Sequence, residues 1–388
     1  MGNKTVYAGL FGFGTIGAGV VRLLEDNSNL IAEKTGIEFR LKKIVDIDTE
    51  TDRGVDPGPG VLTDKKEEVL DDPEISVVIE LIGGAGVASD IVEEALKKGK
   101  HVVTANKELI AKRGPELLKL ASKNGVRILF EASVGGGIPV LTPLLSCLRG
   151  NHIRRVLGIV NGTTNYILTS MDTKGVEFDE CLAEAQRLGY AEADPTNDIE
   201  GFDAAYKAII LCAAAFGKRV PVDSVYREGI TRVGRKEMEY ARELGFAVKL
   251  LAVADDTDSG ADVRVHPAML PMDHPLASVN GVLNAVYIEG TPIGQLMFVG
   301  EGAGPSATSS AVMGDVISLA AAAEAAPGAG WDFFREAPSV PIEDVDNAFY
   351  IRMLVEDRAG VLAEVGGSFS EHGVSLASVV QKSMIGDK

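Results

Sequence analysis

The stretch Val6-Tyr-Ala-Gly-Leu-Phe-Gly-Phe-Gly-Thr-Ile-Gly17 carries a short apolar run, Val6–Phe11, directly into Gly12-Phe13-Gly14-Thr15-Ile16-Gly17. Apolar residues at helical spacing follow over Ile16–Leu30. A strand that enters a GxGxxG turn and leaves it as a helix has the form of a βα unit that cradles a dinucleotide. Glycine alone takes the tight turn and lets backbone approach a pyrophosphate, whose charge then rests on the helix N-terminus. Gly12, Gly14 and Gly17 are therefore candidate cofactor positions. An ordinary glycine turn is the plainer alternative.

Working outward, Leu41–Val45, Val77–Ile82, His101–Thr104 and Val126–Phe130 repeat the strand signal. Helical segments at Ser89–Lys98 and Pro115–Asn124 lie between them and end near Gly99 and Gly125, as helix caps do. This alternation predicts an α/β fold: a doubly wound parallel sheet with helices on both faces, over residues 1–137. Beyond Gly135-Gly136-Gly137 the rhythm changes. Strands near Arg154–Val160, Lys249–Ala254, Asp262–Pro267, Ala285–Glu289 and Gln295–Val299, with helices at Phe178–Leu188, Ile199–Phe216 and Lys236–Leu244, predict an α+β second domain over 138–300. Gly300–Ser310 and the helix Ala311–Ala323 are expected to return to the first domain, completing it over 301–325. Residues 326–347 read as a linker, and 348–388 as a small strand–helix–strand tail starting at Tyr350–Val355.

The chain of 388 residues has 44 Gly and a net charge of −18, from 38 Lys+Arg against 56 Asp+Glu. The acidic balance repels phosphodiester backbones and anionic lipid, which argues against nucleic-acid and membrane-surface roles. No apolar stretch reaches the length of a membrane span, and the N-terminus moves straight into a strand pattern without a signal-peptide core. The expectation is a cytoplasmic protein. Cys147, Cys181 and Cys212 are widely spaced, which fits neither a disulfide framework nor a zinc site.

Four clusters carry candidate chemistry. Asp46 and Asp48 close the second strand, where an acid would hydrogen-bond an adenosine ribose and repel a 2′-phosphate. NAD is thus slightly favoured, while Arg53 keeps NADP open and surface acids remain an alternative. The distance from Gly17 to Asp46 suggests an extended loop over Asn27–Gly36. Thr104-Ala105-Asn106-Lys107 lies at a strand's C-terminal end, where open α/β sheets bind ligand; a solvated lysine is the plain reading. Glu131, followed by Ala-Ser-Val-Gly-Gly-Gly-Ile-Pro, could hold a hard cation through oxygen ligands, although an interdomain hinge ranks above it on residues alone. In Gly189-Tyr190-Ala191-Glu192-Ala193-Asp194-Pro195, with Asp198, Asp203 and Lys207 beyond, Asp198 is placed to cap a helix starting near Ile199, and Asp203 and Lys207 share one face. That helix is apolar nearly all round, so its Asp and Lys need each other or a polar cavity. Carboxylates there would hold a substrate ammonium, and a lysine could donate a proton to a carbonyl.

These motifs resemble the homoserine dehydrogenase family. The resemblance rests on GFGTIG at 12–17, Glu80-Leu-Ile-Gly83-Gly84, TANK at 104–107, FEASVGGGIPV at 130–140, GIVNGTTNYIL at 158–168, LGYAEADPTNDIEGFDAAYKAIIL at 188–211 and GEGAGPSATSSAVMGD at 300–315. It implies reversible NAD- or NADP-dependent interconversion of L-homoserine and L-aspartate 4-semialdehyde, in the branch of amino-acid biosynthesis leading to threonine, methionine and isoleucine. By resemblance Lys207 is the proton donor and Lys107 a second active-site lysine. Glu192 would bind the substrate amino group, Asp198 and Asp203 would orient substrate, water or Lys207, and Gly162, Thr163 and Tyr190 would line the site. Phe13, Thr15, Ile16, Gly83, Gly84, Thr104, Lys107 and Gly304 would contact cofactor. The carboxylate of Glu131 with carbonyls of Val134, Gly136 and Ile138 would hold a structural monovalent cation such as Na+. A homodimer or higher homo-oligomer is also implied. The tail resembles the first half of an ACT domain, with Asp357-Arg-Ala-Gly-Val-Leu at its helix start. Two other readings stay open: a related amino-acid dehydrogenase, and a non-catalytic metabolite sensor.

Overall fold

The computed structural model describes residues 4–321, 335–356 and 358–381. It comprises two units, Met1–Asp344 and Val345–Lys388. In the first unit, β1 (Lys4–Phe11), β2 (Ile37–Val45), β3 (Leu62–Thr63), β4 (Ile75–Glu80), β5 (His101–Thr104) and β6 (Ile128–Leu129) form one sheet in the order β3-β2-β1-β4-β5-β6. Every pairing in it is parallel. This is the doubly wound dinucleotide-binding order, whose ligand crevice opens at the carboxyl ends of β1 and β4, where the winding reverses. The strands are nearly continuous apolar runs because both faces are covered. α1 (Thr15–Thr35) lies on one face, with α11 (Pro305–Ala321) returned from the far end of the unit: Val312, Met313, Val316 and Leu319 join Leu10, Val20 and Ile79 in one buried cluster. The short α2 (Glu67–Leu70), α3 (Val87–Lys97) and α4 (Lys107–Lys123) place Val69, Leu96 and Leu117 in another.

A second sheet joins β7 (His152–Ile159), β9 (Tyr226–Arg227), β10 (Phe246–Thr257), β11 (Gly260–Pro271), β12 (Leu283–Thr291) and β13 (Gly294–Glu301) in the order β13-β12-β7-β10-β11-β9. Its long pairings are antiparallel. Alternate residues separate its faces: Val286 and Ile288 enter the larger core with α9 (Phe202–Phe216), while Ala285 and Tyr287 enter a smaller one. α5 (Leu141–Leu145), α6 (Gly162–Lys174), α7 (Phe178–Arg187), α8 (Thr196–Ile199) and α10 (Arg235–Glu243) complete this part. Lys249 of β10 is buried. It donates to the Val279 carbonyl at 2.6 Å, Asn280 Oδ1 at 2.9 Å and Asn165 Oδ1 at 3.2 Å, and burial pushes it down to about 8.

Several expectations are corrected. The 27–36 stretch continues α1 to Thr35, and Gly36, at φ +69°, ends the helix, so the distance from Gly17 to Asp46 is helix rather than loop. α4 starts at Lys107 and carries Pro115 inside it instead of starting there. The helix expected over 199–216 breaks at Gly201, whose φ of +79° separates α8 from α9. Asp198 therefore sits inside a short helix and does not cap the long one. The linker is not a linker where it is described: β14 (Arg335–Glu336) pairs with β8 (Lys218–Arg219), and Ser339 bridges to Ala261. Residues 322–334 lie outside the described residues.

In the second unit, α12 (Val361–Glu371) follows Gly360 at φ +95°. Asp357, expected at this helix start, lies outside the described residues. The flanking stretches 349–356 and 374–381 form no strand among the described residues, so the expected strand at Tyr350–Val355 is absent there.

Candidate active site

The crevice above the parallel sheet is made by backbone. Gly12, at φ +95°, brings the chain so close to the turn after β4 that a Cβ would stand 2.8 Å from the Leu81 carbonyl. A Cβ on Gly17 would collide with the Gly12 carbonyl, whereas one on Gly14 meets nothing within 4 Å. α1 thus begins with no side-chain cap and with open space over its first turn, which is the form an anion-binding helix start takes. The Phe13 N–H donates to Asp46 Oδ2 at 2.5 Å, and Asp46 Oδ1 accepts the Asp48 N–H at 2.9 Å. Asp46 therefore tethers the glycine turn itself. Asp48 pairs with Arg53 at 2.7 Å and accepts N–H groups of Glu50 and Thr51; hydrogen bonds from Thr51 and Glu50 lead in holding its carboxyl down to about 2.

At the end of β4 the fully buried Glu80 accepts the N–H groups of Ile82 and Gly83 at 2.8 and 3.0 Å and the Thr104 hydroxyl at 2.6 Å. Asn106 donates to the Gly84 carbonyl at 2.6 Å and caps α4 through the Leu109 N–H at 3.0 Å. The Gly83-Gly84 turn, both residues at positive φ, is thereby fixed facing the Gly12–Gly17 turn. Thr104 is fully buried with its hydroxyl on Glu80, so its side chain supports the turn from beneath. Phe13 has a buried side chain and offers only its backbone. Gly304, at φ +113°, lies in the turn just ahead of α11.

The substrate cluster is built on α9. Asp203 and Lys207, one turn apart, are 7% and 8% exposed, and Lys207 Nζ donates to Asp203 Oδ2 at 2.6 Å and to the Val160 carbonyl at 2.7 Å. Lys107 arrives from the first turn of α4 and stands 3.0 Å from Asp203 Oδ1, with its side chain 44% exposed. One buried carboxylate therefore lies between two ammonium groups. Burial pushes Asp203 up, but Lys207 and Lys107 together outweigh it and hold the carboxyl well below the usual range. Burial wins at Lys207, which is lowered, whereas the charge of Asp203 wins at Lys107, which is raised. Asp198 is raised by burial. Thr163 donates to the Tyr190 carbonyl at 2.5 Å, which fixes the 189–192 turn against α6. Glu192 is exposed at the rim, and its charge reaches Lys107. Gly162 is the first residue of α6.

Four further groups were not singled out from the sequence. Asn161 donates to both Asp198 Oδ1 (2.7 Å) and Asp203 Oδ2 (3.0 Å), while its Oδ1 caps α6 through the Thr164 N–H at 2.9 Å. The Val160 carbonyl, Glu80 and Asn106 are the others. Asn161 and Asn106 each stand between a strand and a helix, where an asparagine cap is a legible signal. Glu131 is buried and holds a turn: its Oε1 accepts the N–H groups of Val140 and Leu141 at 2.6 and 2.8 Å, and its Oε2 that of Thr142 at 2.5 Å. Its own N–H donates to Asp315 Oδ2 at 2.8 Å. Among the described residues no group of three or more His, Cys, Asp or Glu could hold a metal.

A glycine cradle at a parallel sheet's switch point, beside a lysine–carboxylate cluster, is the form a dinucleotide-dependent enzyme takes. Comparison with known proteins agrees. The family described as homoserine dehydrogenase matches residues 139–317, the homoserine dehydrogenase NAD-binding domain matches 12–131, and the ACT domain matches 349–386. The homoserine dehydrogenase of Synechocystis is 45% identical, over 97% of this chain and 89% of its own, and that of Corynebacterium glutamicum is 42% identical, over 98% and 86%. The crystal structure of a homoserine dehydrogenase from Thiobacillus denitrificans superposes with a TM-score of 0.91 at 40% identity, covering 98% of this chain and 89% of that one. A hyperthermophilic archaeal homoserine dehydrogenase in complex with NADPH gives 0.69 at 30% identity, over 81% and 98%. The chain belongs to the homoserine dehydrogenase family and is an NAD(P)-dependent oxidoreductase. No helix among the described residues is long and apolar enough to cross a membrane.

Asn161→Ala should lose both the α6 cap, worth about 1 kcal/mol, and the bridge between the two aspartates. We expect a lowered Tm and a kcat/KM for homoserine reduced by about tenfold or more, since hydrogen bonds to charged groups contribute about 1.5–3 kcal/mol. Steady-state kinetics with unchanged kcat/KM would exclude a role for the bridge.

Proposed function

We propose that the α9 cluster moves the proton in the reversible oxidation of L-homoserine to L-aspartate 4-semialdehyde, with Lys207 as the proton-transferring group. The observation that carries this reading is the Lys207–Asp203–Lys107 array, in which a buried lysine is held by one carboxylate and one carbonyl and faces a second, half-exposed lysine. Glu192, at the rim, takes the substrate ammonium, with Tyr190 and Thr163 holding that turn in place. Gly162, beside them, lets substrate approach the start of α6. Asp198 and Asp203, tied together by Asn161, set the position and charge of Lys207. In oxidation the hydroxyl proton passes to neutral Lys207, directly or through a water. In reduction the ammonium form returns it as the carbonyl oxygen gains charge, and Lys107 adds positive field at the same atom.

The cofactor would be held by the Gly12–Gly17 turn and the start of α1 at its pyrophosphate, by Asp46 at the ribose, and by Gly83, Gly84, Lys107 and Gly304 nearer the reacting end. When bound, its nicotinamide supplies the hydride chemistry. NAD is the favoured form. The ionised Asp48 stands at the end of the second strand and engages the only arginine of that turn, Arg53. A monovalent cation at the 131–138 turn would rest on the carbonyls of Val134, Gly136 and Ile138, with Glu131 contributing charge nearby.

Mixing the protein with L-homoserine and NAD, then NADP, should give a rise in reduced-nicotinamide absorbance; silence with both from folded protein overturns the reading. Lys207→Met should cut kcat by about 100-fold or more, within the usual range for removing a general acid–base group. Because burial lowers Lys207, oxidation should rise with pH through an inflection below the ordinary lysine value of 10.5, and reduction should fall over the same limb. Loss of that inflection in the Met variant assigns it to Lys207, and its persistence assigns it elsewhere. For the cofactor, Asp48→Asn removes the charge that opposes a 2′-phosphate and releases Arg53. The kcat/KM ratio of NADP to NAD should climb several-fold, and a wild-type preference for NADP would refute the role given to the acidic strand end. Exchange of Na+ for choline should lower the Tm if the 131–138 turn holds the ion, and an unchanged Tm removes the cation from the account.

A further inference from the structure

Asn284 is placed second in β12, on the face that carries Val286 and Ile288 into the larger core. It is 1% exposed, and both Nδ2 and Oδ1 are buried without a hydrogen-bond partner. Among the described residues, no other side chain has all its polar atoms in that state. An amide removed from water and left unpaired destabilises a fold, and buried polar groups are ordinarily paired. An apolar side chain would carry no such penalty, so burial alone does not account for the amide.

Its surroundings do. A Cβ on Gly162 would stand 3.7 Å from Asn284 Oδ1 and 2.9 Å from the Val282 carbonyl, and any side chain at Gly302 would overlap the Asn284 amide itself. Bare backbone therefore lies on both sides of the carboxamide. One side is the first residue of α6, adjacent to Asn161 and its two aspartates. The other is the Gly300–Gly304 turn, which packs on the glycine run at 135–137: a Cβ on Gly136 would fall 2.5 Å from the Gly302 carbonyl, and the Gly137 N–H donates to the Glu301 carbonyl at 3.2 Å. The amide stands where the substrate helix and the turn leading to α11 come together.

We propose that Asn284 is a positioning residue for the reaction, fixing the spacing between the Gly162 end of α6 and the Gly300–Gly304 turn and taking its hydrogen bonds from that backbone when substrate and cofactor are bound. A carboxamide offers two donors and one acceptor, and the Gly302–Ala303 peptide beside it offers the matching carbonyl and N–H. The bare Cα of Gly302 is what lets this backbone come so close to the amide. The identity of the two ligands rests on the homoserine dehydrogenase reading, whereas the unpaired amide does not.

Asn284→Leu tests it. With both ligands saturating, kcat should fall at least tenfold, while the Tm of the free protein stays level or rises because an unpaired amide has been removed. The additional Tm increase given by cofactor plus homoserine should shrink, and Asn284→Ser, which keeps a hydroxyl, should recover part of it. A Leu variant with wild-type kcat and wild-type ligand stabilisation overturns the proposal, as does a lowered free-protein Tm with kcat unchanged, which marks a structural amide. If the Leu variant does not fold, Asn284→Asp replaces the donors with an acceptor at constant size and should show the same loss of kcat; wild-type kcat there overturns the proposal. Wild-type protein that is stabilised by NAD(P) yet inert toward homoserine defeats the functional reading instead. The cofactor-induced Tm increase of the Leu variant, expected below wild type, then decides the role of Asn284.

Discussion

The structure depends on one buried carboxylate shared by two lysines. Asp203 is 7% exposed, and its two oxygens meet Lys207 and Lys107 at 2.6 and 3.0 Å. Taking such charges out of water is unfavourable, and a buried ion cluster is weak evidence of stabilisation in itself. Its value here lies in what it brings together. Lys107 starts α4 on the parallel sheet, Asp203 and Lys207 lie on α9 over the second sheet, and the Val160 carbonyl just past β7 receives Lys207. The array exists only when α4 packs on α9 and α9 packs on the second sheet. The site is therefore a product of the whole first unit rather than of either sheet.

The remaining constraints are steric and concern backbone brought close to backbone. Gly12 against Leu81, Gly17 against Gly12 and Gly136 against Gly302 are contacts in which a Cβ would stand inside van der Waals distance of a main-chain atom. They bring the ends of β1 and β4 together and seat the segment before α11 on the turn after β6. Polar side chains then fix what glycine leaves loose. Glu80 and Asn106 hold the Gly83-Gly84 turn, Asp46 holds Phe13, and Glu131 gathers the N–H groups at the start of α5. Glu80, Asp46 and Glu131 are buried or half-buried acceptors that satisfy N–H groups the turns leave unpaired, whereas Asn106 donates to the Gly84 carbonyl.

Much of this was legible in the residues because the parallel strands are short apolar runs separated by helices with caps. The GxGxxG turn, the strand His101–Thr104 and the face shared by Asp203 and Lys207 needed only local patterns. What was not legible depended on neighbours distant in sequence. Gly201 breaks the helix by its left-handed backbone, and a Cβ there would press on Val265 and Arg227 from other elements. Pro115 lies inside α4 although the proline looks like a helix start, and tertiary burial of Leu109, Ile110 and Leu117 carries the helix through it. Residues 335–339 look like a polar linker, but they find an unpaired strand edge at Lys218–Arg219 and Ala261. The three N–H groups aimed at Glu131 come from residues 140–142, which only the fold brings back onto its carboxylate.

The asymmetry between the two lysines bears on mechanism. They share Asp203, yet Lys107 is raised and Lys207 lowered, because Lys207 is buried and Lys107 keeps its side chain 44% exposed. A group that must both give and take a proton works best when its two states are close in free energy. Burial brings Lys207 toward that condition, and the carboxylate beside it limits how far. Lys107 is pushed the other way and stays a cation through the working range, which suits a fixed field on the developing oxyanion rather than a proton carrier. In the proposed mechanism the same carboxylate would support two different tasks, divided by the difference in burial between its partners. On that reading the burial of Lys207 against the exposure of Lys107, more than the identity of the lysines, divides the labour.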